Sequence, residues 1–296
     1  MKKAISLILS LLMLLSLAAC STEHTSETNV SLSVETTSET SEETPADESD
    51  VYWHFEVQNE GTDGEYKADD GTVVMQTSYV LPRLAAVQSG ETAAEGTEAP
   101  AWMLQVVDAF NAGSAAELER MIADADEAAA DAKERYESMS EEERANFAPY
   151  AEELAVSEVN SSDRMTSIVL NGWFDYGGAH PNAYNSVWNF DLEEGEFVGL
   201  ADMTDDYDAL RAVLAEEIIA RIEAQDDRDV YFEDCADTLR AKEDYVVSFG
   251  GANEMTVWLG EDYIAPHAAG VQTFDFDLGM IAPYLNDYGA ALLQRT

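Results

Sequence analysis

Hydrophobic and polar positions change period along this chain, and the changes mark out its elements. Over 72–81, Val73, Met75, Thr77, Tyr79 and Leu81 alternate with Val74, Gln76, Ser78 and Val80, the period of two expected of a half-buried strand. Residues 51–57 predict a short aromatic strand, and 66–71 end in the turn signal Asp70-Gly71. From about 101 to 136 the period becomes helical. Met103, Val106, Val107 and Phe110 share one face, Gly113-Ser114 predicts an interruption, and Leu118, Met121 and Ile122 follow. The Gly/Ala/Glu/Thr stretch 90–100 reads as a loop, and Ser140-Glu141-Glu142-Glu143 as a capping box opening one more short helix.

The second half is richer in sheet. Strands are predicted at 154–159, 165–176 and 184–192, the last with Tyr184, Trp188, Phe190 and Leu192 on one face. Asn189 then lies on the opposite face, where truncation is expected to be nearly neutral. A turn at 193–195 leads into a strand over 196–200. A helix over 205–224 aligns Tyr207, Leu210, Val213, Leu214, Ile218 and Ile222. Residues 245–249 and 255–259 flank a Gly-rich turn as a hairpin, and 272–278 form a last strand with Phe274, Phe276 and Leu278 inward against Asp275 and Asp277 outward. Strand runs punctuated by isolated helices, without regular βαβ units, predict an α+β fold: a mostly antiparallel sheet packed with helices. No internal repeat of fixed period is present.

The N-terminus departs from both periods. Lys2 and Lys3, an apolar run from Ala4 to Leu17 and then Ala18-Ala19-Cys20 form a secretory signal too short to span a bilayer comfortably. The Leu-Ala-Ala-Cys ending resembles the bacterial lipobox, which implies a lipoprotein signal peptide over 1–19 and lipidation of the Cys20 thiol. Residues 20–50 are dominated by Ser, Thr, Glu and Asp and bury too little apolar surface to offset their ordering entropy, so a disordered, lipid-anchored linker is expected. The expected location is the cell membrane, facing the extracytoplasmic side. Residues 51–192 and 193–296 then form the N-terminal and C-terminal parts of one folded region, closely packed together.

Charge narrows the partners. The chain carries 60 Asp and Glu against 15 Lys and Arg, a formal charge of −45. Such a field repels phosphates, so nucleic acid is excluded as a partner and membrane contact is expected only through the N-terminal lipid. Cationic proteins suit it, as does a general acidic adaptation with no specific partner. With Cys20 acylated, Cys235 is the one thiol left; among Glu233, Asp234 and Asp237 it reads as a packed side chain and not a nucleophile.

Catalytic signatures are missing from the sequence. Neither Gly-x-Ser-x-Gly nor His-Glu-x-x-His occurs, and carboxylates are so numerous that pairs at any spacing arise by chance. His180 and His267 with two carboxylates are a candidate zinc set by ligand type, and 202–208 and 226–237 are dense in oxygen donors without the EF-hand spacing. The identity of any metal stays unknown. No cofactor and no catalytic residue are implied.

Two segments carry a family resemblance. Phe174-Asp175-Tyr176-Gly177-Gly178-Ala179-His180-Pro181-Asn182, followed by Trp188-Asn189-Phe190-Asp191-Leu192 and a turn into Leu200-Ala201-Asp202-Met203, resembles the Gly-Gly-Ala-His segment and hairpin of the extracellular region shared by RsiV-type anti-sigma factors and PdaC-type peptidoglycan deacetylases. Tyr263-Ile264-Ala265-Pro266-His267-Ala268-Ala269-Gly270, leading into Phe274-Asp275-Phe276, resembles that family's Ile-Ala-Pro-Tyr-Ala-Ala-Gly segment, with His267 where the family usually has an aromatic ring. The resemblance spans roughly residues 60–285 and is strongest after Asp163. The matched region is expected to stand without the transmembrane helix of the first type and the deacetylase domain of the second.

The resemblance implies a non-catalytic module that binds or senses an envelope ligand, a lysozyme-like basic protein or a peptidoglycan fragment. It places candidate ligand-binding residues at Gly177, Gly178, His180, Asn182, Tyr263, Pro266 and His267. An accessory or metal-dependent hydrolase of cell-wall metabolism is the alternative. The residues by themselves also suit a purely structural reading, in which Gly177-Gly178 make a tight turn and His180 fixes the loop through a backbone hydrogen bond.

Overall fold

Two long strands open the fold where the sequence pattern suggests shorter ones. In the computed structural model, which describes residues 52–89, 98–251 and 253–294, β1 (Tyr52–Lys67) and β2 (Val73–Ser89) form one antiparallel hairpin. Its turn is closed by the Gly71 amide donating to the Ala68 carbonyl, and Gly71 has φ 88°. The predicted signal peptide, Cys20 and the linker lie outside the described residues.

The chain then crosses in α1 (Ala101–Ser138) and the single turn α2 (Glu141–Arg144), whose Ser140 and Glu143 form the predicted capping box. It re-enters the sheet as β3 (Tyr150–Ser161), parallel to β2. Then follow β4 (Met165–Asp175), β5 (Asn182–Asp191) and the two-residue β6 (Glu196–Phe197), all antiparallel. The result is a curled six-stranded sheet in sequential order, with one parallel pair.

α1 lies across one face of this sheet, and it is not interrupted at Gly113. A Cβ there would stand 2.3 Å from the Phe197 ring, so glycine lets the ring seat against an unbroken helix. The helix also completes an open strand edge. β3 pairs with β2 only from Met75 to Tyr79. Beyond it, the Asn111 side chain accepts from the Leu84 amide at 2.9 Å and donates to the Leu84 carbonyl at 3.0 Å, and the Ser114 hydroxyl donates to the Pro82 carbonyl at 2.8 Å. Pro82 lacks an amide hydrogen and sits in the strand where no neighbouring strand needs one. Under the first half of the helix, Val106, Phe110 and Met121 meet Leu81, Ile168, Leu170 and Phe190. Under the second half the helix presents Ala125, Ala129 and Ala132 to Val74, Met75 and Tyr150.

A second layer follows. It contains α3 (Tyr207–Glu223), α4 (Cys235–Ala241), a three-stranded antiparallel sheet of β7 (Val246–Phe249), β8 (Glu254–Leu259) and β9 (Gln272–Asp277), and α5 (Asp287–Leu293). α3 starts at Asp206, whose carboxylate accepts from the Ala209 amide. Its Leu210, Leu214, Ile218 and Ile222 share one buried core with Phe249, Val257, Phe274 and Phe276. The predicted alternation of Phe274 and Phe276 against Asp275 and Asp277 holds. Cys235 is half-buried on this layer, and burial, followed by Asp234 and Glu223, pushes its thiol pKa up, away from nucleophile chemistry.

The join between the layers corrects the expectation for Asn189. This residue does sit on the face opposite Phe190, but it is buried at 6% exposure, and its side-chain amide donates to the Val247 carbonyl at 2.9 Å. Ser167, its cross-strand partner on β4, accepts from the Phe249 amide at 2.9 Å. The open edge of β7 thus stands on two polar side chains of the larger sheet. Trp188 differs in the other direction: it is only half-buried and walls a surface groove.

Candidate functional site

The segment after β4 reverses direction through Gly177, at φ 72°. A Cβ on Gly177 would also stand 1.9 Å from an Arg135 guanidinium nitrogen, and that guanidinium donates to the Gly177 carbonyl at 3.3 Å. Arg135 on α1 therefore pins the turn, with Tyr150 as a second acceptor for its guanidinium at 3.3 Å. Gly178, Ala179, His180 and Pro181 are exposed, and Asn182 opens β5 opposite Phe174.

The other segment follows β8. Glu261 and Asp262, the latter with φ 58°, lead through Tyr263, Ile264 and Ala265 to Pro266, which precedes a short 3-10 turn over His267–Ala269. Ile264 and Ala265 are buried and anchor the loop in the second layer. Pro266 is exposed.

The two segments meet at their histidines. The rings of His180 and His267 stack with centroids 3.7 Å apart at 25°. His267 Nδ1 lies 3.3 Å from Glu261 Oε2 and 3.4 Å from Asp262 Oδ2, within ion-pair reach when the ring is protonated but in no hydrogen bond with either. The same Glu261 oxygen accepts from the Ala183 amide at 2.7 Å, tying the second loop to the edge of β5. His180 thus secures its loop through a ring stack and not through the expected backbone hydrogen bond. Tyr263 does not join this cluster; its hydroxyl donates to the Thr238 carbonyl at 3.4 Å, and the Lys242 ammonium sits 4.3 Å over its ring. Burial holds the Lys242 pKa below the usual lysine range.

Stacked imidazoles direct their nitrogen lone pairs along parallel planes, so they do not converge on one ion. Among the described residues no group of three or more His, Cys, Asp or Glu side chains is placed to hold a metal. In the first acidic stretch two carboxylates have structural partners: Asp202 accepts from the Gly199 amide, and Asp206 caps α3.

Sequence reasoning missed the residues that knit these segments together. Glu261, Asp262 and Arg135 belong to no recognisable motif, although Gly260-Glu261-Asp262 after a strand is a turn signal. It also missed a groove of about 410 Å³ beside β5, lined by Gly113, Glu117, Val187, Trp188, Phe197 and Val198 among others. Glu117 is held there by a bidentate contact from Arg120. Elsewhere, the buried Glu152 accepts from the Tyr176 hydroxyl at 2.8 Å in a niche shared with Tyr79, whose phenol makes no hydrogen bond among the described residues; burial, followed by Glu152, pushes both phenol pKa values up.

The architecture matches solved structures. A DUF3298-family protein from Bacteroides fragilis superimposes with a TM-score of 0.54 over 79% of this chain and 94% of its own, at 14% identity. The chain shares that fold. A DUF3298-family protein from Pseudomonas aeruginosa gives 0.48 over 79% and 95%, at 13% identity. No protein-family model matches the sequence, and no curated protein is detectably similar to it. No helix among the described residues is long and apolar enough to cross a membrane.

Proposed function

We propose that this protein is a bacterial envelope lipoprotein, anchored through lipid on Cys20, whose folded region is a non-catalytic receptor module of the RsiV/PdaC extracellular type. Its ligand is a lysozyme-like basic protein, with peptidoglycan fragments as the competing ligand class. One observation carries the reading: the two segments that bear the family resemblance, far apart in sequence, come together through the 3.7 Å His180–His267 stack at one end of β5. The charge of −45 favours a cationic ligand over an anionic one.

The test is binding of the detergent-solubilised chain to lysozyme and to peptidoglycan fragments at low and at physiological salt. Attraction between exposed charges alone is screened at a Debye length of about 8 Å in physiological salt. Binding that survives that salt and weakens in His180→Ala or Pro266→Ala supports the receptor; binding that vanishes in salt removes it. For the anchor, Cys20→Ser should release the protein from the membrane fraction and abolish lipid labelling, and equal partitioning of the two proteins would refute it.

A further inference from the structure

Several open strand edges in this fold are closed by side chains. Asn111 and Ser114 close β2, Ser167 and Asn189 close β7, and Glu261 closes Ala183 of β5. At the other end of β5, the Val198 amide donates to the Asn189 carbonyl at 2.9 Å, and β6 pairs only with Phe190 and Asp191. In a strand, alternate residues direct their backbone groups to the same edge. The bonds at Ala183 and Asn189 therefore show that Asn185 and Val187 also point their amides and carbonyls outward. Among the described residues none of these four groups has a partner within the protein. The gap is bounded at both ends by bonds that fix its register, and the groove of about 410 Å³ formed by Trp188, Phe197 and Val187 runs beside it.

We propose that this gap receives an extended segment of a cationic protein as an added strand, with alternate apolar side chains of that segment seated on Trp188 and Phe197. Strand addition supplies affinity through the backbone bonds and selectivity through the pockets for alternate side chains. The cationic character follows from charge: Glu196 and Glu261 stand around the gap, with Glu117 beside it paired to Arg120, on a chain of formal charge −45. The same charge opposes a second copy paired edge to edge. It also opposes the chain's own residues 21–50, which contain many Glu and no Lys or Arg. The proposal rests on the receptor reading for its class of partner and adds the mode of docking.

The experiment uses the full chain in detergent and an acetylated, amidated heptapeptide of alternating Lys and Val, with an analogue N-methylated at alternate residues so that charge and side chains are kept while edge donors are lost. At physiological salt the parent peptide should bind in the range up to about millimolar and slow hydrogen exchange at the Asn185 and Val187 amides; the methylated analogue should bind about tenfold more weakly. Val187→Pro removes an outward amide at an edge position where proline is tolerated, and should weaken the parent peptide by about the same factor. Equal binding of the two peptides, exchange unchanged at both amides, or no binding of the parent peptide overturns the proposal. Lysozyme retained at full strength by a folded Val187→Pro also overturns it while leaving the receptor reading intact; loss of lysozyme binding in that variant supports it.

Discussion

On the side of β4 and β5 that faces α1, Ile168, Leu170 and Phe190 are hidden among apolar neighbours, with Phe190 set edge-on to Phe110 at 5.0 Å. On the opposite side Ser167 and Asn189 are hidden as well, yet they are held by hydrogen bonds to the backbone of β7. The first interface is non-directional and scales with the apolar area removed from water. The second is directional: only one placement of β7 satisfies both Val247 and Phe249. A single pair of strands therefore binds the helix by area and positions the second layer by register. The two motif loops inherit their spacing from that register, because His180 belongs to the first layer and His267 to the second.

Truncation on the apolar side should have the largest effect. Phe190→Ala removes a fully buried ring and should cost about 3–5 kcal/mol in urea unfolding. A loss below about 1 kcal/mol would show that the helix face is not the main source of burial energy. On the polar side the expected effect is smaller and local. Asn189→Ala leaves the Val247 carbonyl without its donor, and Ser167→Ala leaves the Phe249 amide without its acceptor, each costing about 1–3 kcal/mol. Because both grip the same strand, their double mutant should depart from additivity by at least about 0.5 kcal/mol. Amide exchange at Phe249 should rise in Ser167→Ala while exchange in α1 stays unchanged. Strict additivity, or exchange rising equally in both layers, would remove the distinction between the two faces.

That contrast also explains what the sequence made legible. The aromatic alternation of β5 and the stripe of α3 are local periodic signals, and both elements formed where the pattern placed them. Asn189 misled because a polar residue alternating with aromatics has the same pattern whether it meets water or the edge of another sheet. β1 was underestimated because residues 58–65 are polar and contain Gly61 and Gly64, so no period marks them; pairing with β2 along its length is what makes them a strand. α5 carries a glycine inside and was missed, although Asn286 caps it by accepting from the Gly289 amide. For the candidate site, the two motifs and their order could be read from the chain, whereas their contact could not. His180 and His267 meet because β7, β8 and their loop are set on the larger sheet by Ser167 and Asn189 and tied to the edge of β5 by Glu261.

The smallest expected effect tests whether that register reaches the loops. His180 is exposed and its ring meets His267, so His180→Ala should cost about the worth of that stack, about 0.5–1.5 kcal/mol, the range for paired aromatic rings. In a double-mutant cycle with His267→Ala nearly all of that cost should appear as coupling, with little left for His180→Ala once His267 is gone. Repeating the cycle in the Asn189→Ala background sharpens the comparison between the two faces. If β7 sets the loop spacing, loss of the Asn189 bond should reduce the coupling toward zero; in a Phe190→Val background, where the apolar face is altered and the β7 bonds are kept, it should persist. Coupling that is absent in the parent protein would show that the two loops are merely adjacent. Coupling reduced equally in both backgrounds would mean that the stack responds to overall stability, and the directional role given to Ser167 and Asn189 would fail.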